Sequence, residues 1–270
     1  MIKIEAQLVN LRHLDELATG NTVIHRLNPC AKLLTTMVFI IVVTSFPKQM
    51  LAGLIPLCIF PVALVSLGDL PVSPLVRRVV LTLPFIVFIG IFNPLLDHSV
   101  AFQIGDVVIS NGWISFFSIL TRSILAVSAA LLLVATTGME GICAALYQIK
   151  VPKVLVIQLL FMYRYLYILL EEVGRTIQAY NLRSFEDTGI GYKAVGSLVG
   201  QLLMRTLDRA QRIYVAMRCR GFDGNIRLNR QTRVQYQDVA FAFGWSAFFI
   251  FVRMVNIPQW LGSLLTEGYR

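Results

Sequence analysis

Residues 113–137 read WISFFSILTRSILAVSAALLLVATT and are apolar along nearly their whole length. A helix needs about 20 such residues to cross a hydrocarbon core of about 30 Å. The rest of the chain is similar, because 56% of its 270 residues are apolar and only 14% are charged. A soluble domain carries about 25% charged residues. The sequence therefore predicts an integral membrane protein and excludes an ordinary soluble enzyme.

Other apolar stretches lie on both sides of this segment. Three precede it and one follows it, namely Leu33–Phe46, Met50–Leu67, Val79–Leu96 and Val239–Ile257. We therefore predict an all-α protein with about five transmembrane helices, four within residues 32–137 and the fifth within 237–258. A cytoplasmic amino-terminal arm (1–31) precedes them, and a tail (259–270) follows.

The charges between the spans predict their orientation. The connection 97–112 contains Asp97 and Asp106 but no Lys or Arg, as expected of an outer loop. Arg77 and Arg78 lie at the other end of the third span, where an inner loop is expected. Because Lys and Arg accumulate on the cytoplasmic side, we place the amino terminus inside and the carboxyl terminus outside.

Val154–Leu170 is apolar enough to be a sixth span, although Arg164 lies at its centre. Residues 138–236 hold 14 Lys/Arg against 7 Asp/Glu, and 11 of those bases lie within 173–236. If Val154–Leu170 crossed the membrane, these 11 bases would lie outside, against the positive-inside bias. We therefore assign this segment to the interface and residues 138–236 to cytoplasmic or interfacial helices.

Two long helices are expected in the basic region. Apolar residues recur from Tyr192 to Met217 with the 3.6-residue period of an amphipathic helix, and Gly221 ends the pattern. The other helix runs from Val154 to about Leu182. On the polar sides we expect Asp208 to pair with Arg212, four residues on. We also expect Glu171 and Glu172 to pair locally with Arg175 and its neighbours.

Each of these helices ends in a three-residue segment centred on arginine. The segments are Leu182-Arg183-Ser184 and Cys219-Arg220-Gly221. In one interpretation, the arginines only complement the helix dipole, an effect of a few tenths to about 1 kcal/mol. In the other, they are presented to a soluble partner, because guanidinium donates in a rigid fork and stays charged when desolvated. The repetition on two consecutive helices favours the second interpretation.

Several separated motifs resemble one transporter family in the same order. They are HRLNPCAKLL (25–34), MYRYLYILLEE (162–172) and AMRCRGFDG (216–224), together with the two arginine segments. Across about residues 20–260 the chain resembles the transmembrane T component of energy-coupling factor (ECF) transporters, the CbiQ/EcfT family. The arm LDELATGNTVIHRLNPCAKL (14–33) and the ending CRGFDGN (219–225) are most similar to the cobalt/nickel subgroup, CbiQ.

The resemblance implies a function and partners. A T component joins a substrate-binding membrane subunit (the S component, here CbiM-like) to two cytoplasmic ABC-type ATPases in a prokaryotic inner membrane. It implies that Leu182, Arg183, Ser184, Cys219, Arg220 and Gly221 dock on the ATPases. The commoner segment in that family is Ala-Arg-Gly, from which this chain departs at Leu182, Ser184 and Cys219. ATP would bind to the ATPases, and Co²⁺ or Ni²⁺ would be cargo on the partner subunit.

Two alternatives remain beside this function. They are a T component of a vitamin importer and a stand-alone lipid-binding membrane protein. The sequence has no GK[ST] phosphate loop, HExxH or GxSxG, so we expect no catalytic residues. The four cysteines form no CxxC pair and the three histidines are scattered. We therefore expect no cofactor or metal on this chain. We also expect no nucleic-acid partner.

Overall fold

The structure is a computed structural model that describes residues 17–47, 51–96, 100–104, 107–183, 191–224 and 235–255. Its helices are α1 (Val23–Arg26), α2 (Pro29–Ser45), α3 (Ile59–Gly68), α4 (Val72–Gly90), α5 (Phe92–Leu96), α6 (Asn111–Gln148), α7 (Lys153–Arg183), α8 (Tyr192–Cys219) and α9 (Tyr236–Met254). Two 3-10 turns, Ala52–Leu54 and Pro56–Cys58, precede α3. The strands β1 (Val100–Ile104) and β2 (Val107–Ser110) pair antiparallel, with Ile104 opposite Val107. The all-α membrane fold is confirmed apart from this small hairpin.

The chain forms two compact units. The larger unit contains the described residues of 17–138 together with 235–255. The smaller unit contains the described residues of 139–224, which include α7 and α8.

Aromatic side chains form the centre of the larger unit. Phe39 of α2, Phe60 of α3 and Phe249 of α9 are all at most 1% exposed. Their ring centroids lie 4.7 Å (Phe39–Phe60) and 5.1 Å (Phe39–Phe249 and Phe60–Phe249) apart, in tilted and edge-on arrangements. Such aromatic pairs contribute about 0.5–1.5 kcal/mol each beyond their buried area. This cluster therefore holds α2, α3 and α9 together.

One buried carboxylate connects the starts of two helices. Asp238 is 4% exposed, and its Oδ1 accepts from the backbone N–H of Asn28 at 2.7 Å. Its Oδ2 accepts from the backbone N–H of Gln235, the N-cap of α9, also at 2.7 Å. Asn28 is itself the N-cap of α2, where its side chain accepts from the N–H of Cys30 at 2.9 Å. Asp238 thus links the amino-terminal ends of α2 and α9.

Helix α6 is interrupted at Gly138. This residue has φ 69° and ψ 164°, a backbone conformation available essentially only to glycine. Such an interruption leaves nearby helix carbonyls without their usual i+4 partners. The ammonium of Lys32, a residue only 5% exposed, donates to the carbonyl of Thr136 at 2.9 Å. The motif lysine of HRLNPCAKLL therefore satisfies a carbonyl beside the helix break.

Several boundaries differ from the sequence predictions. Helix α4 begins at Val72, so Arg77 and Arg78 lie inside a helix and not in a loop, which corrects that prediction. Its start follows from Pro71 at the N-cap, whose fixed φ suits a helix entry. The segment 50–67 enters its helix through two 3-10 turns, the second with Pro56 at its first position. Residues 97–112, predicted as a loop, contain the hairpin.

Three helices of the described chain are long and apolar enough to cross a membrane: Val72–Leu95, Asn111–Gln148 and Lys153–Arg183. Pro29–Ser45 and Ala52–Gly68 are shorter apolar segments. By length and composition alone, the helix containing Val154–Leu170 counts as a possible span, and α9 is not among the three. The interfacial position of residues 154–170 and the crossing of residues 237–258 therefore stay predictions.

Candidate functional site

The two helices of the smaller unit, α7 and α8, have nearly the predicted bounds. They contain 31 and 28 residues, or about 46 and 42 Å at 1.5 Å per residue. The apolar face predicted for α8 is divided into two stripes. Leu198, Leu202, Ile213 and Met217 are half-buried, whereas Val195, Val199, Leu203, Leu207 and Tyr214 are exposed. Of these two stripes, the first is partly covered by the part of the chain that the structure describes.

Ion pairs join the two helices near the middle of α8. Glu172 of α7 lies 3.2 Å from the guanidinium of Arg205 and 3.5 Å from that of Arg209. Glu171 pairs within α7 with Arg175 at 2.6 Å, as predicted. The local partner predicted for Glu172 is wrong, because its carboxylate faces α8. Asp208 and Arg212, which are both described and exposed, do not form the predicted ion pair.

The two helices run antiparallel. Beyond Glu172, the carboxyl-terminal residues of α7 line a groove of about 580 Å³ together with residues 194–205 of α8. The carboxyl end of α7 therefore lies beside the amino-terminal part of α8. Since α8 then continues past Arg209, its own carboxyl end lies on the other side of the ion pairs. The structure thus places the two arginine segments at opposite ends of the helix pair and does not bring them together.

The segment Cys219-Arg220-Gly221 forms a well-defined helix end. Arg220 is the C-cap of α8, and Gly221 follows with φ 79°. The N–H of Phe222 donates to the carbonyl of Met217, and the N–H of Gly221 donates to that of Arg218, both at 3.0 Å. This is the Schellman arrangement, in which a left-handed glycine closes the helix. It leaves the Arg220 side chain exposed just past the last turn.

We expect Gly221→Ala to destabilise the isolated protein by about 1 kcal/mol, because an L-residue in the left-handed region costs about 1–2 kcal/mol. Thermal unfolding in detergent should show a Tm about 2–4 °C lower. Gly196→Ala is the matched control, because Gly196 is exposed inside α8 with open space around its Cα. That change should leave the Tm equal or higher. An unchanged Tm for Gly221→Ala would contradict the assignment of a strained helix end.

The segment Leu182-Arg183-Ser184 is described in part. Arg183 is the last residue of α7 and lines the groove between the helices. Leu182 is 88% exposed, the largest exposed fraction among the large apolar side chains that the structure describes. Ser184 lies outside the described residues. An exposed leucine beside a helix-terminal arginine suits contact with a partner, because burial of its side chain would be favourable.

Sequence reasoning missed three long-range contacts that organise the structure, among them that of Glu172, for which it predicted a local partner. Glu172 reaches across 33 positions of the chain, Lys32 across 104 and Asp238 across 210. No local pattern indicates such contacts. Within the described ranges, no group of three His, Cys, Asp or Glu side chains could hold a metal ion. The expectation that this chain binds no metal or cofactor stays a prediction.

Comparison with known proteins gives a family match whose range includes all of these motifs. Residues 20–233 match the CbiQ family, described as "Cobalt transport protein". The transmembrane protein EcfT of the Bacillus subtilis energy-coupling factor transporter is 27% identical over 220 residues, covering 76% of this chain and 82% of the relative. The nickel permease LarQ of Lactiplantibacillus plantarum is 29% identical over 38% of each chain.

A further relative is the cobalt transport protein CbiQ of Salmonella typhimurium. It is 31% identical over 108 residues, covering 40% of this chain and 48% of the relative. The family match includes both α7 and α8 and extends over most of the chain. The chain therefore belongs to the CbiQ/EcfT family, the membrane-embedded T components of energy-coupling factor transporters.

Proposed function

We propose that this chain transmits ATP-driven motion from two cytoplasmic ABC-type ATPases to a substrate-binding membrane subunit. One observation carries the proposal. In this T component, α7 and α8 each end at an exposed arginine. Long helices suit this role because they move as stiff bodies when one end is displaced. Closure of the ATPases on ATP would then displace both helix ends and thereby the membrane subunit.

Arg183 and Arg220 are proposed as the docking residues. A guanidinium donates two parallel hydrogen bonds to a carboxylate or to carbonyl groups of a groove, and it stays charged when water is removed. Leu182 and Cys219 are exposed beside them and can add apolar contact. Gly221 sets the direction in which Arg220 leaves its helix.

Cobalt or nickel is the cargo we propose. The family description and the names of LarQ and CbiQ refer to these metals, and the amino-terminal arm resembles the same subgroup. The longer match to EcfT, whose name gives no cargo, keeps a vitamin as the second candidate. In either case the cargo would bind to the partner membrane subunit.

We further propose that the protein lies in a prokaryotic inner membrane with its amino terminus and coupling helices in the cytoplasm. The support is the charge distribution, because residues 138–236 contain 14 of the 24 Lys and Arg of the chain. Such an excess is typical of the cytoplasmic side. ATPases that dock on α7 and α8 would also have to be cytoplasmic.

The proposal is tested by affinity purification of the tagged protein from native membranes in mild detergent, followed by mass spectrometry. We expect an ABC-type ATPase and a small membrane subunit to co-purify. Elemental analysis and small-molecule mass spectrometry of the purified complex together decide the cargo, since cobalt or nickel without an organic ligand supports a metal importer and a bound vitamin supports the second candidate. Recovery of this protein alone with lipid would contradict the coupling function.

A further inference from the structure

The two coupling helices, α7 and α8, are held together by little apolar packing. Val156 is the one buried side chain of α7. On α8, every described side chain from 194 to 219 is half-buried or exposed. Two helices of this length without a buried seam can change their crossing angle easily. The polar contacts between them therefore have an unusually large influence on that angle.

Glu172 makes the polar contact that could fix the angle. Its two carboxylate oxygens contact different arginines, Oε1 with Arg205 at 3.2 Å and Oε2 with Arg209 at 3.5 Å. Arg205 and Arg209 lie four residues apart on α8 and so project from the same face. Because two arginines on one face of α8 hold the same carboxylate, the contact restrains the rotation of α7 relative to α8 as well as the distance between the two helices. We name Glu172, Arg205 and Arg209 the clamp.

The neighbouring Glu171 shows that this contact is specific to one position. Glu171 pairs with Arg175 inside α7, and its side chain is 61% exposed. The Glu172 side chain is only 21% exposed. Two adjacent glutamates thus differ in partner, in direction and in contact with water. This pair provides a matched control within the chain.

The clamp lies at comparable distances from the two docking arginines. Glu172 precedes Arg183 by 11 residues, whereas Arg205 and Arg209 precede Arg220 by 15 and 11 residues. At 1.5 Å per residue the arm on α7 is about 16 Å long and the arm on α8 is about 16–22 Å long. Because the helices are antiparallel, the two arms extend to opposite sides of the clamp. Each helix can therefore turn about the clamp, which acts as a common pivot for α7 and α8.

We propose that the clamp is the pivot of the coupling helices, and that Glu172 is a positioning residue which holds one crossing point and one preferred crossing angle in each nucleotide state, so that displacement of one helix end turns the other helix about that point. This inference rests on the proposed function and adds the joint through which it would operate. Partly exposed ion pairs contribute little to folding. Loss of the clamp should therefore loosen the joint while the protein stays folded.

The test measures the distance between spin labels on the two helices in the purified complex. The labels are attached at Asn181→Cys and Gln211→Cys, both exposed positions outside the clamp. The exposed native thiol of Cys219 stays in place because it lies in a docking segment, and proteins with only one added cysteine identify the distances in which it takes part. We expect one narrow distance distribution, which shifts when a non-hydrolysable ATP analogue is added.

Glu172→Gln should broaden this distribution and reduce the nucleotide-dependent shift, with coupling weakened about fivefold or more. Glu171→Gln should behave as the parent protein does. Exchange of the charges through Glu172→Lys, Arg205→Glu and Arg209→Glu should restore the narrow distribution. That recovery would exclude a role in which Arg205 and Arg209 contact the ATPases directly.

Equal distributions for Glu172→Gln and Glu171→Gln would overturn the clamp, and so would failure of the charge exchange to restore the parent behaviour. The outcomes also separate this inference from the proposed function. If the ATPases do not co-purify with the parent protein, the proposed function fails, whereas broadening by Glu172→Gln still reports on the joint. If they do co-purify and the distributions are equal, only the clamp fails.

Discussion

Arg183→Lys combined with Arg220→Lys is expected to reduce recovery of the ATPase with this protein at least about tenfold. Lysine keeps the positive charge but cannot donate two parallel hydrogen bonds. Hydrogen bonds to charged groups contribute about 1.5–3 kcal/mol, and a tenfold change in an equilibrium corresponds to about 1.4 kcal/mol. Loss of one such hydrogen bond at each of the two arginines should therefore be sufficient to reduce ATPase recovery at least about tenfold. Both residues are exposed, so the variant should fold normally.

The measurement is the amount of ATPase recovered per tagged protein, together with ⁵⁷Co²⁺ and ⁶³Ni²⁺ uptake by cells that express the variant. Arg212→Lys is the matched control, because Arg212 is an exposed arginine of α8 that lies eight residues before Arg220 and outside the docking segments. It should leave recovery and uptake unchanged. Normal ATPase recovery in the double variant would refute docking through the two guanidinium groups. An equal loss for Arg212→Lys would show that the effect is not specific to the docking segments.

The coupling helices are the part of the structure that local sequence signals predicted best. The amphipathic period from Tyr192 and the glycine at 221 define α8 to within two residues of its end. The helix from Val154 to about Leu182 corresponds to α7, Lys153–Arg183. Both predictions rest on periodicity and on an end signal, which act over a few residues. The location of Arg183 and Arg220 at helix ends could therefore be predicted.

Other features could not be predicted, because they depend on contacts between distant residues. Arg77 and Arg78 suggested a loop by charge alone, although the entry at Pro71 starts α4 before them. Glu171 and Glu172 look equivalent in sequence, and only the approach of α8 distinguishes them. The motif HRLNPCAKLL indicates a family, but it does not indicate what its residues contact. Asn28 contacts Asp238, and Lys32 contacts a carbonyl beside the break at Gly138.

Asp238→Asn is expected to destabilise the protein by about 3 kcal/mol, from about 1–3 kcal/mol for a buried donor left without its acceptor and about 0.3–1 kcal/mol for the anion lost at each of two helix amino termini. Asparagine has nearly the same shape as aspartate, so packing should be preserved. One of its two terminal atoms, however, is an amide nitrogen, which would face a backbone N–H donor of Gln235 or Asn28. That donor would lose its acceptor in a buried position, which is costly by itself.

The negative charge of Asp238 matters as well as its hydrogen bonds. The carboxylate lies at the amino-terminal ends of both α2 and α9, where helix dipoles favour an anion. Neutral asparagine loses both of these interactions. Thermal unfolding in detergent, followed by the fluorescence of the three tryptophans, should show a Tm lower by about 6–12 °C, at about 2–4 °C per kcal/mol.

Asp208→Asn makes the same chemical change on the exposed surface of α8 and should alter stability by at most about 0.5 kcal/mol. Comparison of the two variants separates the buried network from the general effect of removing one negative charge. Equal Tm values would mean that Asp238 does not stabilise the junction of α2 and α9. A large loss of stability confined to Asp238→Asn would instead identify this carboxylate as the residue that joins the two ends of the larger unit. Asp238 contacts the starts of both α2 and α9, which lie some 200 positions apart.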